Sequence, residues 1–154
     1  MKRKKIILYS LLGVLLLAGA AAWYIYREYN RVHKDTADLR PDFRMEAPAL
    51  VAAFNADEKS SGSKYWDKVI TVEGMVKEIS KDEQGRYTIV LGDTASNSSV
   101  RCSIDSMHIS DIQHLVPLSR VHIKGICSGY NADELLGSDV FLVRSVLDKA
   151  ESKN

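Results

Sequence analysis

The chain has 154 residues, 27% of them charged, and a formal net charge of +1 at pH 7. With an apolar N-terminal stretch set aside, that is one domain's worth of chain, too short for two independent cores. From Lys64 to Lys149 ten Lys and Arg stand against twelve Asp and Glu, which argues against a surface built to grip a phosphate backbone.

Lys2, Arg3, Lys4 and Lys5 precede Ile6 to Tyr26, 21 residues without a charge. At about 1.5 Å per residue a helix of that length spans roughly 31 Å, the thickness of a bilayer's hydrocarbon core. The cations should stay in the cytoplasm, so the remaining chain emerges on the far side. A basic start, an apolar middle and the small residues Ala18 to Ala22 also describe a cleaved signal peptide. The apolar run is longer than a signal core, and Trp23, Tyr24 and Tyr26 stand where an aromatic belt meets the interface. The reading is an uncleaved single-pass anchor: residues 1–5 cytoplasmic, 6–26 spanning, and an exported domain beyond. Either reading exports that domain.

Residues 27–46 read as a stalk and linker, helical to Leu39 and ended by Pro41. A helical segment follows from Ala47 to Asn55, with Leu50, Val51 and Phe54 on one side. Lys59 to Lys64 reads as a loop or weak turn because of Ser60, Ser61, Gly62 and Ser63. Val69 to Ile79 alternates as a half-buried strand, turns at Lys81 to Gly85, and returns as Arg86 to Leu91, a β-hairpin. Gly92 to Asn97 is a second turn before a strand with Val100, Cys102 and Ile104 on one face. Asp105 to Val116 reads as a short helix with Ser110 as N-cap, closed by Pro117. Strands Arg120 to Cys127 and Asp139 to Leu147 complete the order, separated by a loop from Gly129 to Gly137.

Five strands with a helix between the third and fourth is the order of the OB-fold, a Greek-key barrel. The expected class is therefore mainly β: a five-stranded OB barrel over residues 47–150, preceded by its helical segment and the transmembrane helix. Gly74 and Gly125 fall inside strands, as barrel corners require.

Phe54 with Ala56-Asp57-Glu58, Lys64-Tyr65, Lys68-Val69, Val72-Glu73-Gly74-Met75-Val76, and Lys124 to Tyr130 before Asp139-Val140 together resemble the tRNA_anti-like family of bacterial envelope domains. The resemblance implies an OB-fold and an N-terminal membrane or lipid anchor. It implies no established activity.

Cys102 and Cys127 are the only cysteines; outside the cytoplasm they can form a disulfide, while two buried thiols is the plain alternative. Gly125 to Gly129 has the spacing of a nucleophile elbow without the strand-to-helix context such a turn needs. The four histidines show no paired metal spacing, and no metal, cofactor or catalytic residue is expected. Asp35-Thr36-Ala37, Asp93-Thr94-Ala95 and Asp105-Ser106-Met107 match an Asp-Ser/Thr-apolar pattern for O-glycosylation, with Thr94 the best placed. On the outward face of the second and third strands, Arg86, Thr88, Arg101 and Ser103, with Tyr130 in the adjoining loop, form the expected binding site. No aromatic platform accompanies the two arginines there, so nucleic acid is set aside in favour of an envelope protein or glycan. The functional expectation is a membrane-anchored, non-enzymatic binding module. The alternatives are a structural subunit acting through its transmembrane helix and, third, an oligonucleotide binder.

Overall fold

The structure is a computed structural model that describes residues 13, 16–26, 35–133 and 137–148. It divides into two units, residues 1–34 and 35–154. In the first, residues 13 and 16–26 are helical. The basic tail 1–5, residues 6–12, 14 and 15 of the expected span, residues 27–34 of the stalk, and residues 149–150 of the expected domain lie outside the described residues. Among the described residues no helix is long and apolar enough to cross a membrane.

Among the described residues, the second unit is an OB-like, mainly β fold of six strands: β1 (Phe43–Glu46), β2 (Val69–Lys81), β3 (Tyr87–Leu91), β4 (Ser99–Ile104), β5 (Arg120–Asp133) and β6 (Gly137–Leu147). Two helices, α1 (Ala47–Ala56) and α2 (Glu58–Tyr65), lie between β1 and β2. The strand order is β1-β2-β3-β4-β6-β5, and β5 pairs back onto β2. Five strands therefore close a ring. Leu50, Ile70, Val72, Val76, Ile89, Leu91, Val100, Ile123, Val140 and Leu142 fill it, with α1 contributing Phe54.

Four expectations change, each for a local reason. A sixth strand, β1, runs parallel to β2 inside the expected linker. Asp42 fixes it, its N–H donating to Val69 O at 2.7 Å while its Oδ2 accepts from Val69 N at 2.9 Å. The Ser-rich loop is helix α2. Asp57 caps it by accepting from Ser60 N at 2.9 Å, Ser61 Oγ donates to Ala53 O at 2.8 Å, and Gly62 leaves room for the Trp66 ring, 2.9 Å from where a Cβ would stand. The segment after β4 is a 3-10 turn, Ser106–Ile112, capped by Asp105 through Met107 N rather than by Ser110. The loop from Gly129 to Gly137 is largely ladder, since Asn131, Ala132 and Asp133 pair with Asp139, Ser138 and Gly137; residues 134–136 lie outside the described residues.

Gly125 sits where the β5–β6 register shifts. A Cβ there would stand 2.5 Å from Ser145 Oγ and 3.0 Å from Leu142 Cβ, whereas one at Gly129 meets nothing within 4 Å. The first glycine is held by close packing; the second is not.

Cys102 and Cys127 are free and fully buried. Both register with Leu142, Cys102 across the β4–β6 ladder and Cys127 across β5–β6. Strand β6 therefore stands between them, which puts their backbones roughly 10 Å apart, beyond the reach of a disulfide. Of the two alternatives, a disulfide and a pair of buried thiols, the structure has the thiols. Burial pushes the Cys127 thiol up to about 11 and Cys102 higher still.

Gly125→Ala should lower unfolding free energy in urea by about 1–3 kcal/mol, while Gly129→Ala should leave it unchanged or raise it by a few tenths. Under native conditions both thiols should resist alkylation. After unfolding without reductant both should be alkylated, and a mass showing fewer than two adducts would contradict the arrangement.

Candidate functional site

Alternation along β4 buries Val100, Cys102 and Ile104 and turns Arg101 and Ser103 outward. Arg101 registers with Val90 of β3 and with Phe141 of β6, and Ser103 with Thr88. Arg101 Nε donates to Asp139 Oδ2 at 2.6 Å, and Ser99 Oγ donates to Asp139 Oδ1 at 2.5 Å. Asp139 and Phe141 lie two residues apart on one strand face, so the residue paired with Phe141 is the one whose guanidinium Asp139 holds. Phe141 is 36% exposed. Its other neighbour across the ladder is Gly129, beside which there is open space. Phe141 thus stands in the ladder between an arginine whose guanidinium is fixed and a glycine.

Three of the expected residues, Thr88, Arg101 and Ser103, share this face. Arg86 sits in the hairpin turn, with Nε donating to Asp82 Oδ2 at 2.7 Å and Nη2 to Gln84 Oε1 at 2.6 Å. Hydrogen bonds from the Arg86 backbone and side chain hold the Asp82 carboxyl below its ordinary range. Arg86 shapes the turn instead of presenting a free charge. Tyr130 belongs elsewhere: its ring stacks on Phe54 at 5.1 Å and its hydroxyl donates to Asn55 Oδ1 at 2.6 Å. It fastens β5 to α1.

Phe141 was legible but unused. Val140 and Leu142 face the core, so alternation alone turns Phe141 outward. Its presence removes the ground on which nucleic acid was set aside, namely the lack of an aromatic beside Arg101.

Two adjoining hollows of about 340 and 170 Å³ share Pro48, Gly92 and Asp93. The larger is floored by Gly74 and Met75 and rimmed by Glu46, Glu73 and Arg120, with Arg120 bonded to Glu73 and 3.5 Å from Glu46. Thr94 is exposed in its turn. Thr36, the acceptor of another Asp-Thr-Ala match, is fully buried and closed to modification. The elbow-like run Gly125 to Gly129 is continuous β5 strand, with the Cys127 side chain buried in the core.

Among solved structures, a candidate nucleic acid-binding lipoprotein from Klebsiella pneumoniae subsp. pneumoniae is 17% identical, with a TM-score of 0.52 over 67% of this chain and 89% of that one. An asparaginyl-tRNA synthetase from Entamoeba histolytica is 16% identical with a TM-score of 0.38 over 53% of this chain and 20% of its own. The aspartyl-tRNA synthetase of the same organism is 13% identical with a TM-score of 0.43 over 71% and 25%. At these identities the likeness to the lipoprotein is one of fold. No curated protein matches the chain. The tRNA_anti-like family model matches residues 1–144. With an OB-like barrel and a match over nearly its whole length, the chain belongs to the tRNA_anti-like family.

Proposed function

We propose that this chain is a non-enzymatic binding module, held on the periplasmic side of a bacterial inner membrane by residues 6–26, which takes an envelope ligand on the outer face of β3, β4 and β6. One observation carries the reading: the part-exposed Phe141 ring between Arg101, fixed by Asp139, and the open backbone of Gly129. A flat apolar ring with a directed donor beside it suits a sugar ring or a protein side chain that stacks. Because Arg101 is already restrained, little conformational freedom is lost when a ligand meets it. Because Asp139 offsets its charge, the attraction is short-ranged.

The second reading is a short single-stranded nucleic acid. An aromatic ring next to arginine is also the pairing on which an unstacked base rests, and the similar Klebsiella lipoprotein is described as a candidate nucleic acid-binding protein. Salt separates the two. Affinity for a phosphate chain falls steeply with salt because counterions are released, whereas stacking of a neutral sugar does not.

The check is a titration of the full chain in detergent with a cell-wall glycan fragment and, in parallel, an oligonucleotide of about ten bases. Glycan binding should be nearly independent of salt, and Phe141→Ala should weaken it about tenfold, the value of one stacked ring. Salt-dependent binding of the oligonucleotide alone would move the assignment to nucleic acid. Equal binding by wild type and Phe141→Ala would remove this face as the site.

A further inference from the structure

Residues 35–42 lead from the N-terminal unit into β1, and polar contacts fasten their first half to the barrel. Lys124 of β5, only 7% exposed, donates from Nζ to Ala37 O at 2.7 Å and to Leu39 O at 3.0 Å. His108, in the turn after β4, lies 2.8 Å through Nε2 from Asp35 Oδ2 and 3.3 Å through Nδ1 from Asp111 Oδ2. Asp35 also accepts from Ala37 N at 2.9 Å, forming the 3-10 turn Thr36–Asp38. A hollow of about 240 Å³, lined by Ala37, His108, Asp111, Lys124, Val146, Leu147 and Asp148, runs beside this strap. Thr36, fully buried, packs beneath the same turn.

Both ring nitrogens of His108 face carboxylates. A neutral imidazole carries one N–H and serves one of them; the imidazolium serves both. We propose that residues 35–39 form a pH-operated latch, fastened while protonated His108 bridges Asp35 to Asp111 and loosened when His108 loses that proton.

The charged groups around the bridge are Asp35, Asp111 and Arg144, with Lys124 and Asp148 across the hollow. His108 is raised above its ordinary value of 6.5, chiefly by the Asp35 hydrogen bond and against the effect of burial. Asp35 is lowered below 3.8, first by the Ala37 backbone N–H and then by His108. For His108 the gain is complete below 6.5 and is lost as pH rises through the raised folded value. For Asp35 the gain is present above 3.8 and is lost as pH falls through the lowered value. The latch is therefore tight in weak acid and slackens toward alkaline pH. Lys124 holds Ala37 O and Leu39 O without any part in that bridge, so the Asp35 end lifts first. The two residues ahead of the Lys124 contacts add up to about 7 Å of extended chain. That extra reach rests on the membrane-tether reading; the latch does not.

Amide hydrogen exchange of the full chain in detergent tests it, with peptides covering residues 35–42 followed from about pH 6 to about pH 9 and corrected for intrinsic exchange. Protection of the strap should fall several-fold as pH rises, while peptides from β2 stay unchanged. His108→Gln should show the slack level at every pH. Asp35→Asn keeps the capping acceptor but loses the charge, and should give the same loss even if the glutamine variant folds poorly. Strap protection that is flat with pH in the wild type, or a wild-type pH profile in either variant, would overturn the latch.

Discussion

One strand, β2, is paired along its whole length and on both edges over its first half, and the other elements are arranged around it. Its first half pairs with β5 on one side and with β1 on the other; its second half pairs with β3. Unpaired strand edges invite association with other chains, and a closed ring removes them. Closure then requires β6 to lie between β4 and β5, parallel to one and antiparallel to the other. Gly74 answers to the same constraint. A Cβ there would come within 3.1 Å of Ala47 Cβ and 3.2 Å of Leu91 Cβ, where α1 and β3 both meet β2.

The placement of β6 decides the chemistry on either side of it. Inward, Leu142 separates Cys102 from Cys127, so two thiols that export could oxidise remain apart. Outward, the same strand carries Asp139 and Phe141 to Arg101 of β4. A residue 40 positions away in sequence thus supplies the ring that Arg101 lacks among its neighbours on β3. The hairpin arginine, by contrast, is held by an aspartate four residues before it and belongs to turn geometry.

What could be read from the sequence was what one segment decides for itself. The alternation of Val69 to Ile79, the return of Tyr87, Ile89 and Leu91, and the apolar side of Ala47 to Asn55 reproduce β2, β3 and α1 closely. The order of strands was enough for the ring. Elements decided by residues outside their own segment were not legible. β1 has only four residues and depends on Asp42 meeting Val69. α2 has a composition that disfavours helix and depends on the Asp57 cap and on Trp66 resting over Gly62. Tyr130 looked like a site residue because its loop was expected to be open, whereas pairing with β6 and stacking on Phe54 place it in the frame of the barrel. At the site, Arg101, Thr88 and Ser103 followed from alternation. Phe141 lies outside the expected site, which covers only the second and third strands and the adjoining loop, because the pairing of β6 with β4 is decided by the closed ring.

The proposed ligand contact lies on the β4–β6 face, around Phe141. Replacing Phe141 with a photoreactive phenylalanine analogue in the full chain, in intact cells, tests it most directly, because the substitution keeps an aromatic ring in place. Illumination should yield a discrete adduct from position 141 and none from the same analogue at Met107, which is exposed on the turn after β4. An adduct from position 107 with none from 141 would contradict the account.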